Sequence, residues 1–324
     1  METIIGNDIK QARQFLEEGA LVAIPTETVY GLAANAFDIH AVAKIFEVKQ
    51  RPQFNPLIIH GASWAQLKNY VQDVPPIAEV LAQTFMPGPI TFLLNKQSIV
   101  PDLVTAGSAK VAVRIPQHPL TLSLLQQLDF PLAAPSANVF GYISPTTAQH
   151  VYEGLSGNIP YILDGGAAGV GVESTIIGFN VDGSIILHRS GGIAIETIEA
   201  ITKQKIQIKT GVEARPETPG QLKSHYAPHI PLYRGNVPEL LQQFSHKQIA
   251  LLSFSNGYDD YEVAYKMVLS PEGNLHEAAA QLFGALRHLD KLDVDVIITE
   301  IFPDEGIGRA INDRLNRAQA EFKL

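Results

Sequence analysis

Two cations one residue apart, Lys49 and Arg51, open the run Lys49-Gln-Arg-Pro-Gln-Phe-Asn-Pro-Leu-Ile-Ile-His60. In an extended stretch, residues two apart project to the same side, so both charges could grip one polyphosphate. Pro52 and Pro56 stiffen the segment around Asn55, which scattered surface charge would not need. A second block, Ile24-Pro-Thr-Glu-Thr-Val-Tyr-Gly-Leu-Ala33, ends a strand at Pro25 and flanks Glu27 with the hydroxyls of Thr26 and Thr28. Gly31 then permits a close backbone approach. Alone, this block reads equally well as a capped strand-to-helix turn.

Three further blocks share this polar character at strand ends. Val111-Ala-Val-Arg-Ile-Pro-Gln-His118 embeds Arg114 in an apolar strand, where a guanidinium needs an internal carboxylate or a substrate anion. Ala133-Ala-Pro-Ser-Ala-Asn138 closes a strand with a hydroxyl and an amide, and Gly141 and Ser144-Pro-Thr follow. Glu173-Ser-Thr175 opens another strand after a glycine-rich stretch. One such block is easily a turn, but five within two hundred residues predict a single polar cleft.

Other signatures are incomplete. No GxxxxGK[ST] loop and no GxSxG elbow occur. His276-Glu277 begins a zincin-like pattern, but Ala280 stands where the second ligand belongs. Pro228 separates His225 from His229 and spoils a shared helical face, so no metal site is predicted. Gly306-Ile-Gly308 has Ile311 in place of a third glycine and reads as a tight strand-to-helix turn, not a dinucleotide fingerprint. Arg309, Arg314 and Arg317 on the following helix read as a solvated face.

The elements that must position these blocks are legible from punctuation. Asn7 or Asp8 caps a helix carrying Ile9, Ala12, Phe15 and Leu16, and Gly19 ends it. Leu21–Ile24 is a short buried strand, and Asp38 caps a second helix with Val42, Ile45 and Phe46. Strands are predicted at 57–59, 90–94, 111–115, 131–134, 161–163, 175–179 and 185–188, with helices at 120–128 and 193–201. Their mixed spacing predicts a twisted open mixed sheet. Residues 204–230 are polar, rich in Pro and Gly, and lack a sustained period, which suits an interdomain linker or lid. Beyond it, a strand at 249–254, a helix at 275–289, a strand at 294–301 and a helix at 306–321 predict a smaller parallel α/β domain over 231–324.

Bulk properties agree with a two-domain α/β enzyme of 324 residues whose chemistry lies in residues 1–203. Apolar residues make up 46% and charged residues 18%, an ordinary globular balance. The absence of cysteine excludes disulfides and a thiol nucleophile, and fits a reducing, cytoplasmic compartment. No leader-like segment opens the chain and no apolar run approaches bilayer length, so no membrane association is expected. A net charge of −9 argues against a protein whose main task is gripping a nucleic-acid backbone.

In order, PTETVYGL, KxRPxxNPL, VAVRxPxHP, APSANxxGxxSPT, EST and HYAP resemble the motifs of the YrdC-like threonylcarbamoyl-adenylate synthases in their longer, two-domain form. The resemblance covers the first 200 residues and the linker closely, and the last domain by architecture. It implies a concave, basic α/β sheet followed by a Rossmann-like domain. It also implies an enzyme that turns L-threonine, bicarbonate and ATP into L-threonylcarbamoyl-AMP and diphosphate, with Mg2+ on the phosphates. A separate threonylcarbamoyl transferase would use the product to modify adenosine 37 of tRNA, so contact with tRNA is indirect. Carried onto this sequence, Thr28, His60, Arg114, Ala134 and Ser174 would surround threonine. Arg51, Asn55, Ser136, Ser144, Arg189 and Tyr226 would hold the nucleotide, and Lys49, Arg51, Ser136 and Asn138 match the family's polar tetrad. Lys110 stands where relatives often carry threonine near the nucleotide; a backbone contact there would survive the change and a hydroxyl contact would not. Two rival readings are a double-stranded-RNA or tRNA-binding module, and a transferase or hydrolase using carbamoyl phosphate. The charge and the lack of an RRM-like aromatic signature weigh against the first.

Overall fold

The computed structural model describes residues 1–209, 217–219 and 226–319. Local signals act as the sequence predicts. The Asp8 carboxylate accepts from the Lys10 amide at the head of Ile9–Glu17, and Gly19 follows that helix with φ +71°. The Asp38 carboxylate accepts from the amides of His40 and Ala41 to start Ile39–Lys49. That helix ends when Gln50 turns left-handed (φ 53°), and the amides of Gln50 and Arg51 return to the carbonyls of Glu47 and Phe46. Lys49 is therefore the last helical residue. The extended geometry invoked for Lys49 and Arg51 is replaced by a helix terminus and a reversal of the chain.

Among the described residues, twelve strands form one mixed sheet. Its order is Ile4–Gly6, Tyr161–Leu163, Val22–Ile24, Gly31–Asn35, Leu132–Ala133, Ile58–His60, Lys110–Arg114, Ile90–Lys96, Thr175–Phe179, Ile185–Arg189 and Gln207–Ile208, with Val71–Gln72 paired to Ile90–Lys96. Parallel and antiparallel pairs mix along it. Every predicted strand of this part is present within a residue or two. Gly31–Asn35 was not predicted: its sequence, GLAAN, has little intrinsic β preference, and pairing with Val22–Ile24 and Leu132–Ala133 imposes the strand. The helices Pro76–Phe85 and Ala148–Leu155 were also not foreseen. Gln207–Ile208 adds an edge strand from a segment read as linker.

A second sheet is fully parallel, in the order Leu232–Arg234, Val296–Thr299, Ile249–Ser253, Tyr265–Val268. The helices Val237–Gln243, Leu275–Leu289 and Gly308–Ala318 connect its strands or follow them. The last begins two residues later than predicted, and its predicted end at 321 lies outside the described residues. The preceding turn is tight, since a Cβ on Gly308 would lie 2.1 Å from the Pro303 carbonyl. One apolar cluster joins the two sheets, uniting Val29, Ile143 and Val172 with Leu282, Phe283 and Leu315. Gly171, at φ +76°, brings a loop so close to the helix Leu275–Leu289 that a Cβ would meet the Ala279 carbonyl at 2.3 Å. Among the described residues, no helix is long and apolar enough to cross a membrane.

Candidate active site

The five polar blocks converge. Thr28, Arg51, His60, Arg114, Ala134, Ser136, Ser174, Arg189 and Tyr226 all line one cavity, together with Thr26, Gly31, Glu173 and Pro219. Close backbone approach makes this possible. Gly31 bridges to Ser136, and its missing side chain leaves room for Ala134. At Gly191 a Cβ would fall within 2.3–2.4 Å of the backbone from Glu173 to Thr175, so glycine there lets Ser174 and Arg189 come together.

Part of the lining is strongly cationic. Arg51 is buried; its Nε donates to the Asn55 carbonyl at 3.1 Å and its Nη2 to the Pro56 carbonyl at 2.9 Å. Arg189 donates through Nε and Nη2 to the Ser174 carbonyl, through Nη2 to Ser174 Oγ, and through Nη1 to the Pro219 carbonyl. Behind them, the Lys49 ammonium donates to the carbonyls of Ser136 and Asn138 at 2.5 Å each, tying its helix terminus to the Ser136–Asn138 loop. Burial lowers the pKa of all three: Arg51 to about 9, Arg189 below its ordinary value, and Lys49 well below, with Arg51 adding to the effect on Lys49. Asn55 is fully buried, and neither its side-chain oxygen nor its nitrogen has a hydrogen-bond partner among the described residues. Buried amides are nearly always bonded, so this one is open to a further polar partner, although Asn55 is not among the residues lining the cavity.

The remaining polar lining carries less charge. Thr28 Oγ1 lies 2.8 Å from Thr26 Oγ1, which in turn donates to the Val29 carbonyl. Ser174 Oγ lies 2.7 Å from Thr91 Oγ1. Burial, aided by Arg114, pushes His60 down to about 3, so its ring is neutral. Arg114 Nη2 sits 2.7 Å from Glu27 Oε1, at an angle outside hydrogen-bond geometry, and its Nε donates to the Gly88 carbonyl. Of the two partners the sequence allowed for Arg114, the internal carboxylate is present.

Three residues stand apart from the sequence reading. Arg314 is not on a solvated face: it is fully buried, and its Nε donates to Glu173 Oε2 at 2.7 Å. Arg309 and Arg317 do remain partly exposed. Glu173 accepts from Ser144 Oγ at 2.6 Å through its other oxygen. Burial acts to raise its carboxyl, but Arg314, Arg189 and Ser144 outweigh it and hold the pKa below the ordinary value. Lys110 is not brought to the cavity. It begins the strand that Arg114 ends, about 13 Å away at strand rise, and lines a shallow groove with Phe179 and His188. Asn138 is buried behind the cavity, its amide nitrogen donating to the carbonyls of Val139 and Tyr142.

Two described pieces of the predicted linker reach the cavity, Pro219 and Tyr226. Tyr226 is buried with a left-handed backbone (φ 67°), a conformation that disfavours a bulky side chain. Packing holds it: the ring stacks on Phe283 at 5.6 Å, the Arg314 guanidinium lies 5.4 Å from its centre, and the Ala227 amide donates to the Gly141 carbonyl. Burial pushes its phenol up to about 12. His225 lies outside the described residues. Sequence reasoning missed Glu173 and Pro219 as cavity residues and Glu27 as the partner of Arg114, although both glutamates stand inside motifs it singled out.

Among known proteins, residues 14–191 match the family model Sua5_yciO_yrdC, described as "Telomere recombination", and residues 193–320 match the model for the threonylcarbamoyl-AMP synthase C-terminal domain. A threonylcarbamoyl-AMP synthase of Pyrococcus abyssi is 42% identical over 325 residues, covering 96% of this chain and 93% of its own length. One from Bacillus subtilis is 41% identical, covering 96% and 92%. The crystal structure of P. abyssi Sua5 complexed with L-threonine superposes with a TM-score of 0.91 at 39% identity, over 98% of this chain and 97% of that one. With two family models spanning both sheets and relatives matching along nearly the whole length, this chain belongs to the threonylcarbamoyl-AMP synthase family, in its two-domain form.

Proposed function

We propose that the protein makes L-threonylcarbamoyl-AMP and diphosphate from L-threonine, bicarbonate and ATP. The observation that carries this reading is that one cavity gathers two unlike sets of groups, buried cations and small polar side chains. Arg51 and Arg189, with Lys49 behind them, are buried cations that form no ion pair among the described residues, and Glu173, whose charge acts on Arg189, is already paired with Arg314. A polyphosphate would balance that charge. Thr28, His60, Arg114, Ala134 and Ser174 in the same lining offer hydroxyls, a neutral imidazole and a guanidinium to a small hydroxy amino acid. Its solved relative is complexed with L-threonine. Arg51, Asn55, Ser136, Ser144, Arg189 and Tyr226 take the nucleotide in this assignment, and Lys110 is set aside. The tetrad Lys49, Arg51, Ser136 and Asn138 shapes the phosphate side.

The chemistry needs no protein nucleophile. Bicarbonate takes up a proton and loses water to give carbon dioxide, the threonine amine adds to it and releases a proton to leave a carbamate, and a carbamate oxygen then attacks the α-phosphorus of ATP as diphosphate leaves. The protein holds the two anions in line, against their mutual repulsion, and neutralises the charge that grows on diphosphate. Glu27 and Glu173 face arginines, and among the described residues no group of three metal-ligating side chains occurs. Mg2+ in this reading enters with ATP as part of the substrate. Residues 1–203 form the catalytic unit, 204–230 a lid, and 231–324 a supporting unit. The product then passes, in the cytoplasm, to a separate threonylcarbamoyl transferase acting on tRNA. Purified protein should release diphosphate from ATP only when both threonine and bicarbonate are present. Equal release without threonine would reject the reading in favour of a simple hydrolase or carbamoyl-phosphate enzyme.

A further inference from the structure

The final helix reaches the rear of the cavity through one side chain. Arg314 donates to Glu173 Oε2 at 2.7 Å through Nε, and through Nη1 to the Ser190 carbonyl at 2.8 Å and Asp313 Oδ2 at 2.9 Å. Its guanidinium lies over the Tyr226 ring. One group thus touches the carboxylate that accepts from Ser144, the backbone next to Arg189, and the aromatic ring from the linker. Docking the helix does not require any of this, because Ala310, Ile311, Leu315 and Ala318 already bury its apolar face. For docking alone, an apolar side chain of similar volume would serve as well or better than a buried ion pair. The pairing acquires a reason from Glu173. A buried carboxylate on the wall of a cavity for polyphosphate repels its ligand unless a cation cancels it.

We infer that Arg314 is a positioning residue for the nucleotide, supplied by the second sheet's last helix: it neutralises Glu173 and so fixes Ser144 and Tyr226 against the phosphate side of the cavity. This rests on the nucleotide assignment proposed above. It gives residues 231–324 a chemical task beyond packing, since a carboxylate on the cavity wall finds its ion-pair partner 141 positions further along the chain.

The test uses the full chain and titrates magnesium-ATP and L-threonine separately by calorimetry, alongside steady-state kinetics. Arg314→Met should weaken ATP binding and raise its KM about ten- to a hundredfold, the range for a lost charged hydrogen bond. Threonine affinity should stay within about threefold, and Arg314→Lys should recover part of the ATP loss. The decisive comparison adds Glu173→Gln. With the carboxylate neutral, Arg314→Met should change ATP affinity by less than about threefold relative to Glu173→Gln alone. A role in docking alone predicts the same loss in both backgrounds, and that result overturns the inference, as does unchanged ATP affinity in Arg314→Met. If Arg314→Met alone does not fold, the double variant against Glu173→Gln still decides. A double variant that also fails to fold assigns Arg314 to docking and overturns it too. Failure of wild-type protein to bind ATP would instead remove the functional proposal itself.

Discussion

Arg51 offers a prediction in which stability and binding part company. The side chain is buried, and burial holds its pKa at about 9, several pH units below its ordinary value. At about 1.4 kcal/mol per pH unit, keeping that charge inside the ligand-free protein costs on the order of 5 kcal/mol. Arg51→Met removes the cost and keeps most of the stem. It also leaves the carbonyls of Asn55 and Pro56 without their donor, a penalty of about 1–3 kcal/mol each. The two effects nearly cancel, so ligand-free stability should move by no more than about 2 kcal/mol. Binding has no such compensation. Losing one charged contact to a phosphate should weaken ATP by about 1.5–3 kcal/mol, roughly ten- to 150-fold in Kd. Urea denaturation without ligand and calorimetric titration with ATP measure the two numbers independently. A destabilisation well above 3 kcal/mol with unchanged ATP affinity would make Arg51 a structural clamp and refute the reasoning.

Three other outcomes are expected. His60, neutral in the fold with a pKa near 3 against an ordinary 6.5, gives an unfolded state that binds the extra proton first. Stability should therefore fall as pH drops from about 6.5 towards 3, and His60→Gln should lose about 3 kcal/mol less than wild type between pH 7 and pH 4; equal losses in urea melts at the two pH values would contradict this. Threonine and serine differ by one methyl, so preference for threonine should be about 10–200-fold in kcat/KM, with alanine much poorer because Thr28 and Ser174 would face no hydroxyl; competition assays giving alanine parity would reject a pocket that reads the side chain. A chain ending near Lys203 should fold yet make little product, and Tyr226→Ala should show a milder version of that defect. Full turnover by the truncated chain at saturating substrates would reduce residues 204–230 to a spacer.

Much of this site was legible because its residues carry their own punctuation. Pro25, Pro52, Pro56 and Pro135 mark strand ends and turns, and polar groups stand beside them in an otherwise apolar sequence. Arg114 announced a buried partner by sitting inside an apolar strand, and Glu27 answers. Arg314 carried a similar signal that went unread. It lies three residues after Ile311 and four before Ala318, on the apolar face of its helix, whereas Arg309 and Arg317 do not share its burial. Even so, its partner could not be named locally, since Glu173 lies in the loop before Thr175–Phe179, a strand of the other sheet. Lys110 misled for the opposite reason. Its position in the strand puts it on the same face as Arg114, but four residues of strand rise carry it to the far end. The strand Gly31–Asn35 is set wholly by its neighbours.

The most direct test of the account is the identity of the activated product. The protein is incubated with ATP, L-threonine and 13C-bicarbonate, and the nucleotide product is identified by mass spectrometry and carbon NMR. The expected product is a threonylcarbamoyl adenylate whose carbamoyl carbon alone carries the label, formed in step with diphosphate. An unlabelled threonyl adenylate, with phosphorus joined directly to the amino acid's own carboxylate, would contradict it.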